Sequence, residues 1–127
     1  MEEENAYRLD VDRFILDEID SVPHLEALLL LWNTRPRRWS NDELAGYLFI
    51  PADHARNILR DLQQRTLVVI DSDSCIYQSA ESLDPLIAEV DRNWRRELVR
   101  ISNMIHSKGS PAVREFARAF LLKKDKP

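Results

Sequence analysis

Glycine is nearly missing from this chain, with only Gly46 and Gly109 in 127 residues. Loops that cradle phosphates are glycine-rich, and a nucleophile elbow needs flanking glycines, so both kinds of site are excluded. Cysteine is scarcer still: Cys75 stands alone, so no internal disulfide can form. It falls in a short apolar run and reads as a small packing residue rather than a reactive thiol. The three histidines, His24, His54 and His106, fall on separate segments without metal-ligand spacing. No metal and no cofactor are expected. The paired carboxylates Asp17-Glu18 and Asp42-Glu43 lie at helix ends, where the macrodipole is reason enough for acids. Nothing here makes the expectation an enzyme.

Long hydrophobic runs are also lacking. The longest, Leu25 to Trp32, is interrupted by Glu26 and falls well short of the ~20 apolar residues that span a bilayer. The start, MEEENAYRLD, is acidic and lacks the basic-then-apolar order of a signal peptide. A cytoplasmic chain without a membrane partner is expected. With 44% hydrophobic and 31% charged residues and little glycine, the composition favours a helical globular chain. Charge is uneven: residues 1–22 carry a net −6, residues 23–79 a net −1 and residues 80–127 a net +3. The middle of the chain therefore has no strongly basic footprint.

What the chain does have is a dense series of local signals from Ser40 to Ile70. Ser40 followed three residues later by Glu43 is a capping box. A short helix with Leu44, Ala45 and Leu48 on one face should follow and stop before Pro51, which disfavours helix at Ile50. Pro51 then suits the start of a second helix, in which Ala55, Ile58, Leu59 and Leu62 form a buried stripe ending near Arg65. LVVI, the turn DSDS and CIYQ predict a hairpin over 67–78. Upstream, Ser21 should cap a helix with Pro23 in its first turn and Leu25, Leu28, Leu29 and Trp32 on its inner face. Trp39 is expected to form a small strand.

The order helix, turn, helix, hairpin, carried by ELAGYLFIPADHARNILRDLQQRTLVVID with HLEALLLLW upstream, resembles the winged helix-turn-helix domain of bacterial transcriptional regulators. The resemblance covers residues 22–78. It implies a mainly α fold with a small β-hairpin, in which the second helix enters the major groove of double-stranded DNA and the hairpin is the wing. Thr66 stands where such domains often have glycine, and the wing tip, Asp71-Ser72-Asp73-Ser74, is acidic.

Three regions are expected: an acidic helical extension over 1–20, the winged unit over 21–79 and a helical region over 80–127. The first should be helical from Leu9 to Ile19. In the last, Leu83, Ile87, Val90, Trp94, Leu98, Ile101 and Ile105 recur at steps of three and four, which predicts one long helix whose stripe holds a homodimer. Packing against the N-terminal helix is the alternative. Arg92, Arg95, Arg96 and Arg100 read as a solvated face, and a short helix offering Val113, Phe116, Ala117, Phe120 and Leu121 should follow Pro111. For DNA contact the candidates are Ala52, Asp53, His54, Arg56, Asn57 and Arg60, lying between the buried positions of the second helix, with Arg35, Arg37 and Arg38 on phosphates. The competing expectation is a protein-interaction module of the same fold without DNA binding, favoured by the near-neutral core and acidic wing.

Overall fold

The computed structural model describes residues 2–108, with side chains from residue 9 onward. Helix α1 (Glu2–Glu18) turns Val11, Phe14 and Ile15 inward, as their spacing predicts, and Ile19 just beyond its end is buried too. Its last turn has no basic residue of its own. Lys108, far along the chain, supplies one: its ammonium donates to the carbonyl of Leu16 at 2.7 Å and to that of Ile19. A cation there offsets both the unpaired carbonyls and the negative end of the helix dipole.

Ser21 caps α2 (Val22–Asn33) by accepting from the His24 N–H, with Pro23 in the first turn. The four-residue inner face predicted for α2 is too narrow, because Ala27, Leu30 and Leu31 are also buried while Trp32 is only partly so. Helices and strands on several sides, described below, pack around it, and a helix so surrounded keeps only a narrow face for water, here Glu26 and Asn33.

Strand β1 (Trp39–Ser40) leads into α3 (Asn41–Leu48), whose capping box is complete: Ser40 Oγ accepts from Glu43 N–H, and Glu43 accepts from Ser40 N–H, both at 3.0 Å. Pro51 then precedes α4 (Ala52–Gln64), which buries Ala55, Ile58, Leu59 and Leu62. Thr66 takes a positive φ of 60°, the left-handed backbone for which glycine is the usual residue. Strands β2 (Val68–Asp71) and β3 (Ser74–Tyr77) form the hairpin, and β1 adds to β3, giving an antiparallel sheet in the order β1-β3-β2. Helices α3 and α4 and strand β3 all pack on α2.

The C-terminal region departs from the single long helix predicted. After a 3-10 turn (Glu81–Leu83) it forms α5 (Asp84–Arg96) and α6 (Leu98–Ser107), separated at Glu97, which has φ −127° and ψ 43°. Neither proline nor glycine marks the break. Its effect is to lay α5 and α6 both along α1, with α6 also reaching α2. The apolar stripe is divided accordingly. Ile87, Val90, Ile101 and Ile105 are buried inside this one chain, so these four are covered without a second subunit, and Leu83 and Trp94 pack partly against the same core. Leu98 is half exposed. A straight helix would have kept all seven in register; the bend rotates Leu98 outward and returns Ile101 to the core.

Several cations of this region are paired with acids. Arg100 bonds Asp12 on α1 through both terminal nitrogens, at 3.0 and 3.1 Å, and Glu97 at 2.8 Å. Arg95 meets Asp91 at 3.2 Å, and Arg92 meets Glu89. Residues 109–127, including the short helix expected after Pro111, lie outside the described residues.

Candidate nucleic-acid interface

Helix α4 has an alternating character that decides where each side chain can go. Its apolar positions face the core, so Ala52, Asp53, His54, Arg56, Asn57 and Arg60 are left outward, and all six are exposed. This is the arrangement their spacing predicts. Side-chain bonds tie both ends of the helix to its neighbours. Asn41 Nδ2 donates to the Ala52 carbonyl at 2.9 Å, joining the first turns of α3 and α4. Gln63 Oε1 accepts from the Ile70 N–H at 2.7 Å, joining α4 to the hairpin.

Between α4 and the hairpin lies a groove of about 720 Å³. Arg56 and Arg60 line one wall; Ser72, Asp73 and Ser74 at the hairpin tip, with Asn41 and Asp42 at the start of α3, line the others. Two guanidinium groups thus share the groove with two carboxylates. Ser40 and Asn41 come to this site because Ser40 pairs with Ser74 in the sheet, a register that no local pattern around Ser40 records. Cys75, at the groove floor, is buried, and its thiol donates to the Trp39 carbonyl at 3.3 Å. Burial pushes its pKa up to about 11, so the sulfur is a packing atom at neutral pH.

The basic loop is placed elsewhere. The Arg35 guanidinium lies 3.3 Å from the Trp32 ring centroid and 5.8 Å from that of Tyr77. Tyr77 pairs with Val68, at the end of the ladder away from the tip pair Asp71 and Ser74. Three residue steps along a strand are about 10 Å, so Arg35 sits at the hairpin base and not beside Arg56 and Arg60. Arg37 stacks over Trp39 at 3.8 Å and bonds Glu43 at 3.1 Å, on the α3 side. Arg38 is exposed. The structure therefore brings Arg56, Arg60 and the hairpin tip together and commits two of the three loop arginines to aromatic rings.

One polar cluster lies behind α4. His24, buried on α2, donates from Nε2 to Asp61 at 2.9 Å, since a carboxylate can only accept, and its Nδ1 shares a hydrogen bond of 2.6 Å with the Ser21 hydroxyl. Asp20, His24 and Asp61 hold ligand-type atoms within 4.8 Å of one another. Both ring nitrogens are already used, however, and Asp20 is held by Arg65 at 3.1 Å. Arg65 also donates to the Asp17 carbonyl and to Glu18, so this network serves to fix the end of α4 against α1.

No protein-family model matches the sequence, and no curated protein does. Solved structures do match in shape. A variant of MepR from Staphylococcus aureus, determined bound to an oligodeoxyribonucleotide, superposes with a TM-score of 0.52 at 15% identity, over 95% of this chain and 88% of that one. RV1404 from Mycobacterium tuberculosis gives 0.50 at 17% identity, over 97% and 89%. The fold is a winged helix-turn-helix. In its terms α4 is the recognition helix, the β2–β3 hairpin is the wing, and α2 and α3 are the helices that support them. The match extends over α1 and the C-terminal helices, so the shared architecture is larger than the winged unit itself. Among the described residues, no helix is long and apolar enough to cross a membrane.

Proposed function

We propose that this protein is a cytoplasmic, DNA-binding transcriptional regulator of the winged-helix type, and not an enzyme. The observation that carries the reading is the outward row Arg56, Asn57 and Arg60 on a recognition helix whose other side is locked into the core. Arginine can pair with guanine and asparagine with adenine through two hydrogen bonds each, and both face the major groove when such a helix enters it. The oligodeoxyribonucleotide bound to MepR, which shares this fold, supports the same reading. Ala52, Asp53 and His54 lie at the leading end of the helix, and Arg38 of the basic loop is exposed, as are Arg35 and Arg37, which lie over aromatic rings.

The regulator works as a homodimer, so that two recognition helices meet successive major grooves. With most of the C-terminal stripe buried in its own chain, the surface for a second copy is the half-exposed Leu98 together with Val99 and Leu9. Leu9 lies one turn before Asp12 on α1, and Leu98 and Val99 directly precede Arg100, which binds Asp12, on α6.

Selection from random duplexes at low salt, followed by a salt titration, tests the reading. Arg56→Ala and Asn57→Ala should each cost about 1 to 3 kcal/mol on the selected site. A loss of only a few tenths at Arg56, Asn57 and Arg60 alike would overturn the assignment. The second reading, an interaction module, is favoured by one feature, the carboxylates of Asp42 and Asp73 in the groove. It takes over if no duplex is selected, with the acidic tip as the edge that a basic protein partner would meet.

A further inference from the structure

Phe49, on the turn between α3 and α4, is 95% exposed. Its φ of 57° and ψ of 45° also place it in the left-handed region, which side chains other than glycine enter at a cost. The way α3 ends imposes that backbone: Ile50 N–H bonds the Ala45 carbonyl at 3.1 Å, a closure in which the preceding residue turns left-handed and is usually glycine. Glycine would complete the turn without strain and without an aromatic ring in water. Phenylalanine carries both penalties at one position, the kind of outlier that points to a use for the ring.

Its place in the chain indicates what the ring meets. Two residues separate Phe49 from Ala52, the first residue of the recognition helix, and helices of this type present their N-terminal residues to the bases. Pro51, Ala52, Asp53 and His54 are all exposed, so the ring stands at the leading end of that surface. Tyr47 nearby is committed differently, with its ring edge-on to Trp39 at 5.7 Å. Among the base edges of the major groove, thymine alone offers an apolar group, its 5-methyl, and phenylalanine is one of the side chains that contact it.

We infer that Phe49 is a specificity contact, packing its ring against the 5-methyl group of a thymine beside the bases met by Arg56 and Asn57. The inference rests on the DNA-binding reading above. A protein partner is the rival occupant; the base-reading side chains that follow directly in the same element favour DNA.

The test uses duplexes selected by the full-length protein and copies in which each thymine in turn becomes deoxyuridine, which lacks only the 5-methyl. Phe49→Gly removes the ring and relieves the backbone, so it should melt no lower than wild type; Phe49→Leu keeps an apolar side chain. Wild type should lose about four- to tenfold in affinity at one substituted position in each half-site, as expected for one buried methyl group or slightly more. Phe49→Gly should be weaker by the same factor on the unmodified site and indifferent to deoxyuridine there. Phe49→Leu should fall between, and Arg56→Ala should remain sensitive at that position. Equal affinities for wild type and Phe49→Gly, or no thymine at which wild type senses the methyl group, overturns the inference and leaves DNA binding intact. A wild-type protein that selects no duplex overturns both.

Discussion

Replacing Ile101 with alanine removes three carbons from a side chain that is fully buried on α6, the helix that packs on both α1 and α2. At about 0.8 kcal/mol per buried methylene, the lost transfer energy is about 2.4 kcal/mol. The cavity left between packed helices adds to this, so the expected cost is about 3 to 4 kcal/mol. Unfolding entropy of about 2.1 cal/mol/K per residue over 127 residues gives about 0.27 kcal/mol/K, so a loss of 3 kcal/mol lowers Tm by about 11 °C. Leu98→Ala, three residues earlier at the start of the same helix, should cost about 1 kcal/mol in the single chain, because half of that side chain is already in water. Urea denaturation followed by circular dichroism, at a low and a high protein concentration, measures both. The cost of Ile101→Ala relative to wild type should be the same at either concentration, because the Ile101 contacts lie within one chain. Comparable costs for Ile101→Ala and Leu98→Ala would refute the reasoning, since α6 would then not be anchored in its own core. Leu98→Glu completes the series: light scattering should show a smaller assembly than wild type while circular dichroism shows the fold intact, and a monomeric wild type would remove the dimer.

Ser40→Ala removes the hydroxyl that accepts from the Glu43 N–H, keeps the backbone N–H that donates to the Glu43 carboxylate, and should destabilise by about 1 kcal/mol at neutral pH. The Ser40 backbone N–H and then its hydroxyl hold the Glu43 carboxyl below the usual carboxylate range, so this stabilisation is present at neutral pH and fades as pH falls through that range. Wild type and Glu43→Gln should accordingly converge in acid, and a constant gap in Tm between them would contradict the assignment. Cys75, buried and protonated, should resist a disulfide reagent at pH 8 until the protein unfolds; fast labelling of the native state would show the wing to be open. Because Asp73 shares the groove with Arg56 and Arg60, changing Asp71 and Asp73 together to asparagine should tighten DNA binding and steepen its salt dependence. Marked weakening, with the fold intact, would mean that these acids make favourable contacts.

The local signals were sufficient for the winged unit. The box from Ser40 to Glu43, the stop before Pro51 and the stripe from Ala55 to Leu62 act through bonds and contacts three or four residues apart, so the sequence itself records where α3 and α4 begin, and which side of α4 faces out. The outward row Arg56, Asn57 and Arg60 follows from that stripe alone. Other features depend on partners far along the chain. The register of Ser40 with Ser74 assembles the groove, and Arg35 is drawn to Trp32 and Tyr77 at the wing base, although as a local run the basic loop looks free to reach phosphate. Lys108 closes the end of α1 across some ninety positions. The break at Glu97 belongs to the same group: the stripe from Leu83 to Ile105 is periodic enough for one helix, and only the surface of α1 and α2 decides that it bends. Periodicity specifies which side of a helix is apolar. What covers that side is settled when distant elements compete for the same core, and a second chain and the protein's own α1 satisfy the same apolar pattern equally well.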